Sequence, residues 1–286
     1  MNAVAGGFLD EMARLSRLRV DQARATTPLV VLQDRAQSAP PAPSLRMGSE
    51  GFDLIMELKL SSPAQGVLAT ETLDLDAQVE AYARAGASIV SVLTEPARFR
   101  GSLEHLSRAS ATLRARAVPT MRKDFLVDPY QLFEARAYGA GGVLLIARML
   151  DDRALAHMLS QAQALGLFVL LEAFDATDIE RSALAAAHWT GAPEALLIGI
   201  NSRDLQTLAV VPQRLTELVS MLPCSHPRVA ESGLTTSADA QRLSAAGYTA
   251  ALVGTALMSA SDPVALGRDM IAAGRLAARG RMQARP

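Results

Sequence analysis

Apolar and polar positions follow two rhythms along this chain. Short, continuous apolar runs recur at Leu54–Leu58, Ser88–Leu93, Val118–Arg122, Gly142–Ile146, Phe168–Glu172, Leu196–Ile200, Arg228–Glu231 and Ala250–Val253. Such runs predict strands of a parallel sheet covered on both faces, where neither face needs polar residues. Segments with helical spacing lie between them: Asp74–Arg84, Ser102–Arg114, Pro129–Tyr138, Asp151–Leu165, Ala176–Ala185, Pro212–Met221 and Ser237–Ala246, with a last one at Pro263–Ala278. Gly86, Gly139, Gly166 and Gly247 stand where helices should end, since glycine takes the left-handed cap conformation cheaply. Asp74, Ser102, Asp151 and Ser237 stand where helices should begin, with side chains suited to capping free amides. Eight repeats of strand then helix predict the α/β class and a closed (β/α)8 barrel, a TIM barrel; an open doubly wound sheet is the alternative.

Upstream of the repeats, Phe8–Ala25 predicts a helix with Leu9, Met12, Leu15 and Leu18 on its apolar face. Ala36–Arg46, rich in Pro, Ala and Ser, breaks that pattern and reads as a connection. Residues 1–50 are therefore expected to form a helical extension packing on the barrel, and residues 51–286 the barrel catalytic domain. The length of 286 residues accommodates this, because such a barrel commonly takes about 250.

Charge narrows the partners. Lys plus Arg number 28 and Asp plus Glu 29, so bulk electrostatics favour neither nucleic acid nor an anionic membrane. A small-molecule substrate, even an anionic one, needs only a local cluster. Cys224 is the sole cysteine, which excludes an intrachain disulfide and a cysteine zinc site. His105, His157, His188 and His226 show no metal-binding spacing. Met1–Asp10 lacks a basic head followed by an apolar stretch, and no run is long enough to span a bilayer. A cytoplasmic protein, monomeric or weakly homodimeric, is expected.

The chemistry sits where the apolar runs end. Glu57 and Lys59 are two apart in a strand and so share a face, which in a barrel is the inner one near the C-terminal mouth. A lone buried charge is costly, whereas a paired acid and base is tolerated; a structural ion pair is the plain alternative to catalysis. Ser61, Ser62 and Gly66 follow in a loop whose hydroxyls and amides could hold an anion. Lys123 after the third strand is a candidate acid, with neighbouring cations such as Arg122 expected to lower its proton affinity. A solvated loop charge is the alternative there. Phe125 just beyond could cover an aromatic substrate. Glu172 ends the fifth strand as a candidate base or, more simply, as a carboxylate at a helix start. After the sixth strand Asn201 can orient an oxygen and Arg203 can clamp a carboxylate. Glu231, Ser232 and Gly233 close strand seven, and Gly254 and Thr255 close strand eight. Glycine turns after the last two strands are where barrel enzymes commonly hold phosphate.

Taken together, these residues resemble one family. Arg122-Lys123-Asp124-Phe125-Leu126-Val127-Asp128-Pro129-Tyr130-Gln131, Gly199-Ile200-Asn201-Ser202-Arg203-Asp204-Leu205 and Ala230-Glu231-Ser232-Gly233 are its strongest stretches. Val253-Gly254-Thr255-Ala256-Leu257-Met258 and Ser91-Val92-Leu93-Thr94-Glu95 add to them. The chain resembles indole-3-glycerol phosphate synthases of tryptophan biosynthesis from the Leu9 helix to Asp262-Pro263. That resemblance implies a (β/α)8 barrel with an added N-terminal helical segment, a carboxy-lyase reaction on 1-(2-carboxyphenylamino)-1-deoxyribulose 5-phosphate, and no metal or organic cofactor. It implies Lys123 as general acid, Glu57 and Glu172 as acid/base carboxylates, and Lys59 as a second acid and anion contact. Arg203 would meet the substrate carboxylate, Asn201 and Glu231 the sugar hydroxyls, and Ser62, Ser232, Gly233, Gly254 and Thr255 the phosphate. The sequence departs from the family at Leu60-Ser61, at Ala64-Gln65 before Gly66 and at Thr255, and Pro41–Gly51 lacks the expected Phe-rich pattern, with Phe52 nearby.

Two other classes compete. A phosphoribosylanthranilate isomerase would carry Cys at the end of strand one and Asp at the end of strand six; here the first position offers Glu57 and Lys59, and Cys224 lies just before strand seven. A diverged barrel that binds a phosphate compound without turnover, or takes another substrate, would show decayed acid/base positions, and Lys59, Lys123 and Glu172 are intact.

Overall fold

The computed structural model describes residues 7–47, 50–62, 66–67, 73–204 and 207–283. Eight parallel strands close into a barrel: β1 (Asp53–Leu58), β2 (Ile89–Leu93), β3 (Thr120–Lys123), β4 (Gly142–Ile146), β5 (Phe168–Ala173), β6 (Leu196–Asn201), β7 (Arg228–Glu231) and β8 (Ala250–Val253). Each pairs with its neighbours in sequence, and β1 pairs with both β2 and β8. The open-sheet alternative is thereby excluded. Three strands carry the bounds expected from the sequence; the others shift by one or two residues.

Helices follow the strands: α3 (Leu75–Ala85), α4 (Leu103–Arg114), α5 (Tyr130–Ala137), α6 (Asp152–Ala164), α7 (Ala176–Ala186), α8 (Gln213–Leu218), α9 (Ser237–Ala246) and α10 (Pro263–Gln283). Asp74, Ser102 and Asp151 accept hydrogen bonds from first-turn amides as expected. For α9 the cap is Thr236 rather than Ser237, because Thr236 and Asp239 close a reciprocal capping box one residue earlier. Two helices precede the barrel, α1 (Phe8–Thr26) and α2 (Leu29–Ser38). The sequence does not predict the second: it covers residues with no predicted element, and its last turn runs into Ala36–Arg46, the stretch read as a connection.

Strand alternation sorts the barrel into two cores. Leu54, Met56 and Leu58 of β1, Val90 and Val92 of β2, and Ile198 and Ile200 of β6 point outward to the helices. Ile55, Ile89, Met121, Leu144, Phe168, Leu170, Leu197, Val229, Ala250 and Leu252 point inward and fill the barrel. Burying each large apolar side chain contributes roughly 1.5–3 kcal/mol. The next inward layer toward the strand C-termini instead carries Glu57, Ser91, Lys123, Glu172, Asn201 and Glu231, of which all but Lys123 are buried. That layer forgoes the apolar gain and buries charge, so packing alone does not account for it.

The N-terminal helix α1 crosses the mouth of the barrel. Met12 joins the inner core, with Phe8, Leu9 and Leu15 packed beside it. Leu18, expected on the same apolar face, is 45% exposed; the docked stripe runs through Met12, Ser16 and Val20 instead. Ser16 donates to the Phe125 carbonyl at 2.5 Å and accepts from Gln131 Nε2 at 2.9 Å. Arg19 reaches Asp124 Oδ1 at 2.7 Å. Asp124 also accepts from Thr94 at 2.8 Å, Arg122 at 3.2 Å and the Phe125 amide at 2.8 Å. Burial opposes the Asp124 charge, yet Arg122 and Arg19 hold its carboxyl below the usual range. Asp124, Phe125 and Gln131 thus seat α1, and the first two also line the cavity.

Candidate active site

Alternation along β3 separates two adjacent cations. Arg122 points to the helix layer, where it binds Glu134 at 3.0 Å and the Gln131 carbonyl at 2.9 Å. Lys123 points inward. Its Nζ lies 3.4 Å from Glu172 Oε2, 3.6 Å from Glu231 Oε2 and 3.9 Å from Glu57 Oε2. Three carboxylates from β5, β7 and β1 therefore converge on one ammonium. Burial works against its charge, but Glu172, Glu231 and Glu57 outweigh burial and hold its pKa above the ordinary lysine value. This corrects the expectation that neighbouring cations lower it: Arg122, the nearest cation in sequence, faces the other way.

The three carboxylates differ in their partners. Glu172 Oε2 accepts from Asn201 Nδ2 at 3.1 Å as well as from Lys123. Glu57 Oε1 lies 3.2 Å from Lys59 Nζ, which also donates to Thr255 Oγ1 at 3.1 Å. Glu57 and Lys59 thus share the inner face, as their spacing predicts. Glu231 is 1% exposed, and among the described residues neither of its oxygens has a hydrogen-bond partner. Burial, with the Glu172 and Glu57 charges, outweighs the Lys123 ammonium and raises its pKa well above the carboxylate range.

A second chain of hydrogen bonds runs from β6 to the turn after β7. Asn201 Oδ1 accepts from the Arg203 amide and from Ser232 Oγ, each at 2.9 Å. Ser232 sits in the left-handed region at φ 68°, followed by Gly233 at φ 83°. A non-glycine residue there costs of order 1 kcal/mol or more. Its hydroxyl bond to Asn201 and the Ser202 hydroxyl donating to its carbonyl at 3.2 Å hold the turn. Arg203 reaches the cavity wall, but its Nη1 donates to the Leu208 carbonyl at 2.7 Å, so part of the guanidinium is engaged in its own loop.

These residues line one cavity. Glu57, Lys123, Glu172, Asn201 and Glu231 form its floor, and Lys59, Arg203, Ser232, Gly233, Gly254 and Thr255 the adjoining rim. Phe125 is there too, stacked edge-on against Phe8 of α1 at 5.8 Å and tilted against Phe99 at 6.1 Å. Ser62 lies in a short antiparallel ribbon pairing Ser61–Ser62 with Gly66–Val67. Its side chain is outside the described residues, as are Pro63, Ala64, Gln65 and Leu205.

Sequence reasoning missed most of the apolar wall: Phe8, Leu93, Phe99, Leu144, Ile146 and Leu252. Phe8 heads the apolar stripe of α1, a readable signal had the docking site been known. Phe99 ends a one-turn helix, Pro96–Phe99, capped by Glu95, and nothing local marks it. Phe52, the aromatic residue near the expected wall, precedes β1 at the opposite end of the barrel and packs against Gly274 of α10. Among the described residues no group of His, Cys, Asp and Glu could hold a metal ion, and no helix is long and apolar enough to cross a membrane.

Residues 9–270 match the family model described as indole-3-glycerol phosphate synthase. The indole-3-glycerol phosphate synthase of Mycobacterium tuberculosis (strain CDC 1551 / Oshkosh) is 37% identical over 268 residues, 93% of this chain and 94% of that protein. The one from Mycobacterium leprae (strain Br4923) is 40% identical over 242 residues, 84% of this chain and 85% of that protein. Among solved structures, a tryptophan synthase chain from M. tuberculosis matches with TM-score 0.56 and 16% identity over 87% of this chain and 99% of that one. Thiamine phosphate pyrophosphorylase from Pyrococcus furiosus also gives TM-score 0.56 at 16% identity, over 79% of this chain and 96% of that one. At such identities the structural likeness is one of fold.

Proposed function

The chain belongs to the indole-3-glycerol phosphate synthase family, and from that premise we propose that it is a carboxy-lyase closing the indole ring of 1-(2-carboxyphenylamino)-1-deoxyribulose 5-phosphate. The observation that carries the reading is the convergence of Glu57, Glu172 and Glu231 on Lys123 at the floor of a cavity with an aromatic side.

The aryl carbon bearing the carboxylate attacks the ribulose carbonyl carbon, and a carbon–carbon bond forms. Negative charge develops on the carbonyl oxygen, and Lys123, held as an ammonium, delivers a proton to it. The aryl carbon–carboxylate bond then breaks, its electron pair restores the aromatic ring, and carbon dioxide departs. The new hydroxyl leaves as water with one further proton, and a carboxylate removes the proton from the adjacent carbon. Lys59, the second acid, supplies the proton to the leaving hydroxyl, and Glu172 or Glu57, each beside an ammonium, accepts the proton from carbon. The acid and the bases all come from the chain, so the reaction as written needs no metal or organic cofactor.

Binding divides along the cavity. Phe8, Phe99 and Phe125 offer ring faces and edges to the anilino group. The free part of the Arg203 guanidinium suits the substrate carboxylate. Asn201 and the unpartnered oxygens of Glu231 suit the sugar hydroxyls. Lys59, Thr255, Ser232, Gly233 and Gly254 form the phosphate end. The protein so read is a monomer or weak homodimer in the cytoplasm.

The test is an assay with the anilino-deoxyribulose phosphate, following the appearance of indole fluorescence. Turnover by the purified full chain is expected. Absence of product, with the protein folded and substrate in excess, overturns the assignment.

A further inference from the structure

Gly199 stands in the middle of β6, where glycine weakens a strand and contributes no packing. Its φ is not positive, so backbone freedom does not explain it. Alternation places Leu197 in the inner core, Asn201 in the cavity and Gly199 inward between them. The space a side chain would take at Gly199 is already filled. A Cβ there would overlap Oε1 of Glu231, lie 3.2 Å from its Cδ and approach Leu170 Cδ1 at 3.1 Å.

The occupant is the least supported charge-bearing group of the site. Glu231 is buried, neither oxygen has a hydrogen-bond partner among the described residues, and Oε2 lies 3.6 Å from Lys123 Nζ. With only the Lys123 ammonium within ion-pair range on the Oε2 side, shape must fix the Oε1 side of the carboxyl group. Gly254 offers a contrast: a Cβ there would overlap Glu57 Oε1, but Glu57 is also held by Lys59 at 3.2 Å.

We propose that Gly199 is a positioning residue, whose missing side chain forms a notch in the barrel wall that seats Oε1 of Glu231 and leaves Oε2 as the edge presented to Lys123 and the substrate. The inference rests on the synthase reading for its kinetic consequence, though not for the notch itself. Filling the notch drives the carboxyl group into the cavity, where it alters the spacing to Lys123 and occupies room meant for the sugar.

A double-mutant cycle on the full chain tests this. Gly199→Ala is expected to lower kcat/KM at least about thirtyfold in the native background and less than about threefold in the Glu231→Ala background, where no carboxyl group contests the notch. Glu231→Asp, which withdraws the carboxyl group by one methylene, is expected to recover part of the loss in the Gly199→Ala protein. The same cycle is read in melting temperature, which requires no turnover. Gly199→Ala should lower Tm in the native background and leave it nearly unchanged beside Glu231→Ala. If the native chain shows no synthase activity, the functional reading fails while the melting cycle still decides the notch. If Gly199→Ala alone is insoluble, recovery of a cooperatively melting protein by Glu231→Ala supports the proposal, and an equally insoluble double variant overturns it. Equal losses in both backgrounds, or no loss in either, overturn it as well.

Discussion

The floor of the cavity and its rim beside Thr255 each contain one lysine, and the two are held differently. Lys123 on the floor faces three carboxylates from three strands. Lys59 on the rim bridges one carboxylate and the Thr255 hydroxyl. On the floor the anions outnumber the cation, so the field fixes a proton there and offers it to whatever oxygen becomes negative. On the rim the second contact of the ammonium is a neutral hydroxyl, which an incoming dianion outcompetes. Under the proposed function one residue type is the first proton source in one place and an anion contact and second acid in the other, matched to the number of carboxylates around it.

Substitutions that touch one region and spare the other put this contrast at risk. The largest effect is expected for Lys123→Ala, with kcat falling at least about a hundredfold in steady-state fluorescence assays, the usual scale for loss of a positioned acid. Turnover near the native value would remove Lys123 from the chemistry. Thr255→Asp sets a negative charge on the rim and should raise KM about thirtyfold or more while changing kcat far less. An unchanged KM would place the phosphate elsewhere. Lys59→Ala should raise KM about tenfold, the order expected for one charge-assisted contact. A loss confined to kcat would make Lys59 a second floor lysine in function.

The smallest effect concerns stability. Glu172, Glu57 and Lys123 face Glu231, and burial with the two carboxylates raises its pKa. The folded protein therefore holds this proton more tightly than the unfolded chain does. That contribution is complete below the ordinary carboxyl pKa and is lost as pH rises through the raised folded-state value. Glu231→Gln removes the dependence. Its Tm advantage over the native protein should be near zero at about pH 4 and grow to about 2–4 °C by about pH 8. An advantage that stays flat or reverses with pH, measured by calorimetry, would show that Glu231 is not the strained group on the floor.

The barrel was legible because its strands are buried on both faces. Gly142–Ile146, Arg228–Glu231 and Ala250–Val253 carry the bounds that their apolar runs predict. The polar floor was legible for the same reason, since Glu57, Lys123 and Glu172 interrupt apolar runs that have no other use for charge. Helix α2 was not: Val30 and Val31 at its start are exposed, and no clean apolar stripe announces it. The aromatic wall was not either. Phe8 becomes a neighbour of Phe125 only because Ser16 and Arg19 dock α1 on the β3 loop, a long-range contact that leaves no local mark, and Phe99 reaches Phe125 from the short helix after β2. Arg203 shows the limit within the site: its position on the wall follows from its place after β6, while the bond to Leu208 depends on a loop the pattern does not specify.

The docking of α1 sets synthesis and assembly in opposite order. Its partners lie far downstream: Arg19 meets Asp124 at a separation of 105 residues, and Ser16 meets Phe125 at 109 and Gln131 at 115. Helix α1 leaves the ribosome before these partners and must therefore wait, unseated, until the third strand and its following loop have emerged. Closing so wide a loop costs entropy before any contact rewards it, which makes roofing the mouth a late step in the life of the nascent chain.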